Sequence, residues 1–364
     1  MEKDLQKKTI RVKYVDFWDS DAKPFYKELS QFYNVELSDE PDYVFFGVHD
    51  GHGGYGESHL TYNNCIKILY TLECFAPDFN LCDYAMGYDY ISLGDRYLRW
   101  PSWYMCEILH VNLRKMALLM QKKHENIEGI LSRKTDFCSF IVSNGAADPI
   151  RQAAFEALSS YKRVNSGGRF LNNIGLPPGV GVADKLEFQK KHKFSLAFEN
   201  CAFPGYTSEK LIDAFAAQTV PIYWGDPTIK ETFNPKAFID ASDFDSLESL
   251  VDYVKKVDED DELYMEMLRQ PALLNRSDYV EEQQLVLEAF LRNIFDQDKE
   301  KAFRRNMQHW GALYQDDRLK NYMRTRIYRC MHSIFRATKE ATRKRIVAIT
   351  GEKFVRSVMG KLRE

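Results

Sequence analysis

Residues 194–227 read FSLAFENCAFPGYTSEKLIDAFAAQTVPIYWGDP, and this stretch decides the fold. Phe194 to Phe198 is an apolar run of strand length, broken by a polar loop containing Gly and Pro. Leu211, Ile212 and Phe215 follow at helical spacing, and a second apolar run, Val220 to Trp224, stops at Gly225. Strand, loop, helix and strand in that order predict a βαβ unit, hence a parallel sheet with right-handed crossovers. Ligands of such sheets gather beyond the carboxyl ends of the strands. That rule places Glu199, Asn200, Tyr206, Glu209 and Lys210 around one crevice.

The same alternation extends in both directions. Upstream, Asp136 to Ser143 predicts a strand, and Pro149-Ile150-Arg151 opens a helix capped by Asp148. Asn165 to Gly181, rich in Gly and with two adjacent Pro, predicts a loop. Downstream come a short strand at Phe238 to Asp240, helices at Ser246–Val257 and Leu263–Leu268, and a longer helix at Val280–Phe295. The first third of the chain repeats the pattern. Strands are expected at Thr9–Phe17, Tyr43–Val48, Cys65–Tyr70 and Cys82–Met86, with helices at Pro24–Phe32 and from Trp103 to about Met120. The polar segment His124–Lys134 separates the halves. The expected fold is α/β, two facing Rossmann-like domains with parallel sheets, at residues 1–130 and 131–280. A crossover helix at 281–317 returns to the first domain, and a basic helical tail spans 318–364.

Size and composition agree with two cored domains: 364 residues, 45% hydrophobic and 28% charged. The seven cysteines are scattered and odd in number, which points to a reducing compartment rather than a disulfide frame. With no signal-peptide core and no long apolar run, a cytoplasmic location is expected. The net charge of −3 hides an asymmetry. Arg318 to Glu364 holds 14 Lys/Arg against three Glu, a balance of +11 on a body of −14.

Lys210 and Arg151 each stand near the start of a helix that follows a strand. Helix N-termini attract phosphate and disfavour a cation unless an anion is present, so the pair suggests a diphosphate. Two exposed surface cations are the plainer alternative. Glu209 suits sugar or ribose hydroxyls, but equally suits a first-turn acid. Asn200 and Tyr206 suit base or sugar contacts, or simple turn chemistry.

FENCAFPGYTSEKLIDA followed by VPIYWGDP resembles the donor-site signature of the glycosyltransferase family 10 α-1,3/4-fucosyltransferases, bacterial type. Asn80 to Gly87, Asp95 to Arg99, Ser143-Asn144 to Arg151 and Phe233 to Lys236 add matches in order, so the likeness covers roughly residues 9–275. The resemblance implies a GT-B fold and inverting transfer of L-fucose from GDP-β-L-fucose to a 3- or 4-hydroxyl of N-acetylglucosamine in a lactosamine-type glycan. It implies Arg151 and Lys210 as the diphosphate clamp, Glu209 as a catalytic acid at the donor ribose and sugar, and Asn200, Tyr206 and Glu199 around the donor. It implies Glu73, in Tyr70-Thr71-Leu72-Glu73, as general base. Ser208 stands where the family has Thr, and Leu72 where it has Gly. Such a reaction needs one base on the acceptor side and cationic help for the leaving diphosphate, which these roles supply.

The Gly-rich loop with His49, Asp50, His52 and His59 has no fixed ligand spacing and reads as an acceptor loop. Asp19 and Asp21 read as helix caps, and Asp258 to Glu262 as a solvated helix end. Trp100, Trp103 and Tyr104 suit either sugar stacking or a core. His49, His52 and Trp103 are the acceptor candidates. No cofactor and no fixed metal site are expected, a divalent ion at most stimulating. Met323, Ile327, Met331, Ile334 and Phe335, then Val347, Phe354, Val355, Val358 and Leu362, recur at helical spacing among basic residues. This amphipathic tail suits the inner face of a membrane, or packing on the body or a second copy in a homodimer. Nucleic acid is not an expected partner, since no recognition motif accompanies the basic tail. The rival readings are a basic-tailed nucleic-acid-binding protein, a non-catalytic glycan binder, or a transferase using another nucleotide sugar.

Overall fold

The computed structural model describes residues 7–18, 22–50, 54–104, 126–177, 180–274 and 279–350. Asp19, Asp21, His52, the expected helix beyond Tyr104 and the apolar positions after 350 lie outside the described residues. Among the described residues eleven strands form two parallel sheets of GT-B type. The first holds β1 (Thr9–Val15), β2 (Asn34–Leu37), β3 (Tyr43–Phe46), β4 (Ile66–Tyr70), β5 (Tyr84–Gly87) and β6 (Tyr97–Arg99), in the order β2-β1-β3-β4-β5-β6. The second holds β7 (Asp136–Phe140), β8 (Val164–Ser166), β9 (His192–Phe198), β10 (Val220–Trp224) and β11 (Ile239–Asp240), in the order β11-β10-β9-β7-β8.

The inner strands are legible because helices cover both faces of a parallel sheet, so their sequences are apolar at nearly every position. All five residues of β4 are buried. Ile66, Ile68 and Tyr70 enter one apolar cluster, and Leu69 enters another on the opposite face. In the second lobe β9 and β10 pair in register from Phe194–Val220 to Phe198–Trp224, with the helix Glu209–Ala216 packed across them. The helix Tyr279–Phe295 returns to the first lobe. There Phe295 packs against Tyr33, Tyr43 and Phe45. The main apolar cluster runs through both lobes, from Ile10 and Phe45 to Leu211, Tyr223 and Phe233, with Trp103 of the first lobe against Phe233 of the second.

Three short strands, β2, β6 and β8, and the helix Lys185–Lys190 go beyond the sequence expectation. Each has six residues or fewer, too short for periodicity to show. Asp258 corrects another expectation. It is buried, not solvated, because Lys162 and Lys193 pair with it and the Tyr161 hydroxyl donates to it at 3.0 Å.

Lys67 of β4 is fully buried beside Arg305 and Asp83, and burial together with the Arg305 charge pushes its ammonium down to about 7. The unfolded chain therefore binds one more proton than the folded one between about 7 and 10.5, so this group makes stability rise with pH across that window. Lys67→Met is expected to flatten that rise and to raise Tm at neutral pH. Thermal melts from pH 6 to 10 check it, and an unchanged slope would count against a charge-burial cost at this position.

Candidate active site

The loop after β4 carries Glu73. Thr71, buried, accepts the Glu73 N–H through its hydroxyl oxygen at 3.1 Å and turns the chain out of the sheet. The Glu73 carboxylate, with 40% of its side chain exposed, reaches toward the second lobe. One oxygen lies 3.3 Å from His49 Nε2, and the other accepts from Asn200 Nδ2 at 3.4 Å. Asn200 lies two residues past the end of β9, so a carboxylate that follows one sheet meets an amide that follows the other where the carboxyl ends of both converge.

Arg151 continues this line. It is the second residue of the helix Ile150–Tyr161, whose first N–H is capped by Asp148 at 3.0 Å. Its guanidinium, 1% exposed, donates to Asn200 Oδ1 at 2.5 Å and to the Asn144 carbonyl at 3.2 Å. Its Nε is buried with no hydrogen-bond partner among the described residues. An orphaned donor on a buried cation suits an anionic ligand.

Lys210 is held from the other side. Ser208 caps the helix Glu209–Ala216, and fully buried Glu199 accepts from the Ser208 N–H and hydroxyl, both at 2.7 Å. The same carboxylate accepts from Lys210 Nζ at 3.0 Å. Glu199 thus faces inward, fixing the cap and the lysine together. Burial works to discharge Lys210, but Glu199 and Glu209 outweigh it and hold the ammonium above its ordinary range. Burial likewise opposes ionisation of Glu209, yet Lys210 and Lys185 win and hold its carboxyl down at about 2. Glu209 lies 3.9 Å from Lys210 and 3.8 Å from Lys185, and stays partly exposed.

Further contacts join the lobes around this line. Cys74, the residue after Glu73, meets the Tyr88 hydroxyl at 3.3 Å, and burial beside Cys74 pushes the thiol of Cys201, the residue after Asn200, up to about 12. Tyr206 is buried with its ring edge-on to Tyr88 of the first lobe, centroids 5.2 Å apart. Burial beside Glu199 and Glu73 pushes its hydroxyl pKa up. Gly205, at φ +82°, lets the loop approach Tyr88, where a Cβ would stand 2.6 Å from the carbonyl oxygen. Asp226, which follows β10, accepts from the Gly205 N–H at 2.7 Å and from the Thr207 hydroxyl at 3.0 Å. Sequence reasoning read Gly225-Asp226-Pro227 only as a strand end and missed this anchor, although an acid just past a strand was the available signal.

The acceptor candidates divide. His49 stands beside Glu73. Trp103 is corrected: at 6% exposure it packs between Tyr104 and Phe233, in the core and not on a sugar-facing surface. His59 also turns inward, its Nδ1 3.2 Å from buried Asp16 and its ring stacked on Phe46. Among the described residues no group of three His, Cys, Asp or Glu is placed to hold a metal ion.

The comparisons with known proteins match this layout. The family description "Alpha-(1,3)-fucosyltransferase FucT N-terminal domain" matches residues 12–106, and "Glycosyltransferase family 10 (fucosyltransferase) C-term" matches 131–310. An Alpha-(1,3)-fucosyltransferase FucT of Helicobacter pylori is 34% identical over 290 residues, covering 71% of this chain. The chain spans 59% of that relative's length. A solved α1,3-fucosyltransferase superposes with a TM-score of 0.66 at 30% identity, over 81% of this chain and 92% of the other. One solved with GDP-fucose gives 0.64 at 27% identity, over 84% and 95%. By sequence across both lobes and by three-dimensional likeness, the chain belongs to glycosyltransferase family 10, the fucosyltransferases.

Proposed function

We propose that this chain transfers L-fucose from GDP-β-L-fucose to an N-acetylglucosamine hydroxyl of a lactosamine-type glycan, the 3-hydroxyl foremost, by direct displacement with inversion. The observation that carries the reading is the line Glu73–Asn200–Arg151, which sets a carboxylate of one lobe against a buried cation of the other. Glu73 takes the proton of the acceptor hydroxyl as that oxygen bonds to the sugar carbon. The bond from that carbon to the diphosphate breaks, and GDP departs with its charge against Arg151 and Lys210. Fixed cations stabilise that developing charge without reorganising. Glu209, ionised and partly exposed, is suited to donor hydroxyls.

The fucosyltransferase solved with GDP-fucose supports the choice of donor. Incubation with GDP-fucose and lactosamine-type or lacto-N-biose-type acceptors, followed by linkage analysis of the product, tests the reading. A thermal shift with UDP and none with GDP would overturn the donor.

The reaction is placed at a membrane surface by the C-terminal helix. The helix His309–Thr350 is anchored at its start, where the Tyr314 hydroxyl donates to Asp78 at 2.7 Å and Arg318 pairs with Glu57. Further along, Met323, Ile327, Tyr328 and Met331 are exposed among basic residues, which suits an anionic membrane surface on the cytoplasmic side. No described helix is long and apolar enough to cross a membrane. Deleting residues 318–364 is expected to abolish sedimentation with anionic liposomes. Unchanged sedimentation would remove the membrane from the proposal.

A further inference from the structure

Once Trp103 is withdrawn into the core, the sugar-facing side of Glu73 needs another surface. Trp18 supplies one. It follows β1 at the carboxyl end of the first sheet, and 63% of it is exposed, whereas a large aromatic ordinarily buries most of its area. It is not loose, because its ring meets His49 edge-on at a centroid distance of 4.9 Å and an angle of 78°. His49 is fixed in turn. Its backbone pairs with Tyr55 across the Gly-rich loop, and its N–H donates to the Asp16 carbonyl at 2.9 Å. His49 Nε2 then touches Glu73 at 3.3 Å.

The contacts run in one order: Trp18, His49, Glu73, Asn200, Arg151. Aromatic surface and buried cation sit at opposite ends, with the carboxylate between them. We propose that Trp18 is the stacking platform for the acceptor, receiving the apolar C–H face of a pyranose on the side of Glu73 away from the phosphate clamp. This rests on the fucosyl-transfer reading for the identity of the sugar. A rigid aromatic surface binds a sugar at little ordering cost, because His49 already limits its motion. Trp18 acts by position and takes no part in the proton transfer.

Trp18→Ala is expected to raise KM for N-acetyllactosamine about 10-fold, the size of one lost aromatic contact. KM for GDP-fucose, kcat at saturating acceptor and the slow hydrolysis of GDP-fucose by water should stay near wild type. Trp18→Phe keeps an aromatic face and should recover most of the loss. Binding of the same disaccharide by ligand-observed NMR needs no turnover and separates the two readings. If wild-type protein transfers no fucose but binds the glycan in a Trp18-dependent way, the platform stands and the donor reading falls. Equal KM and equal glycan binding in wild type and Trp18→Ala overturn the platform, as does a fall in kcat with glycan affinity unchanged.

Discussion

Glu73→Gln is expected to lower kcat/KM for fucosyl transfer by about 10²–10⁴-fold, the usual worth of a positioned general base, while GDP affinity stays at the wild-type value. The substitution is chosen for what it preserves. Glutamine keeps the shape of the side chain, and its carbonyl oxygen still accepts from Asn200 Nδ2, as the Glu73 carboxylate does at 3.4 Å. Arg151 donates to Asn200 and not to Glu73, so the cation keeps its geometry. What disappears is the capacity to take a proton. Steady-state kinetics with calorimetric GDP titration checks the split, and near-normal turnover would remove Glu73 from the mechanism.

Lys210→Ala is expected to cause two losses with separate origins. A charge-assisted hydrogen bond to phosphate contributes about 1.5–3 kcal/mol, so GDP affinity should fall roughly 10- to 100-fold. The protein should also become less stable. Lys210 is the cation paired with Glu199, whose carboxylate has no exposure to solvent. Removing one partner of such a pair leaves an uncompensated buried charge, at a cost of about 3–5 kcal/mol. Adding Glu199→Gln to Lys210→Ala should restore much of the stability, because the amide oxygen still accepts from Ser208, and should leave GDP affinity low. Denaturation and calorimetry on the single and double variants separate the effects. GDP affinity equal to wild type in Lys210→Ala would sink the clamp.

These residues could be placed from sequence because strand ends set their positions. The runs Ile66–Tyr70, His192–Phe198 and Val220–Trp224 lie inside the sheets, and each stops where polar residues begin. The residues just past those stops meet at the cleft. Edge strands carried no comparable signal: Asn34–Leu37, Tyr97–Arg99 and Val164–Ser166 are three or four residues long and mix apolar with polar side chains, and only pairing with a neighbour makes them strands. Burial was equally hidden. Trp18 and Trp103 are both aromatic residues beside polar loops, and only tertiary packing leaves the first outside and takes the second in. Asp258 sits in an acidic run that looks solvated, and its partners Lys162 and Lys193 come from distant elements. The inward turn of Glu199 belongs to the same class, since it depends on where Ser208 and Lys210 return.

The apolar cluster shared by both lobes sets how this protein can move and how it can fail. Two halves that bury side chains in one interior cannot swing apart like a hinged book without wetting it, so admission of substrate must rely on small rotations and local loop shifts. The returning helix Tyr279–Phe295 completes the first half, where Phe290 meets Tyr84 and Phe295 meets Tyr33, Tyr43 and Phe45: that half produced without it would expose an unfinished oily face and aggregate, and heat should melt the whole body in one cooperative step.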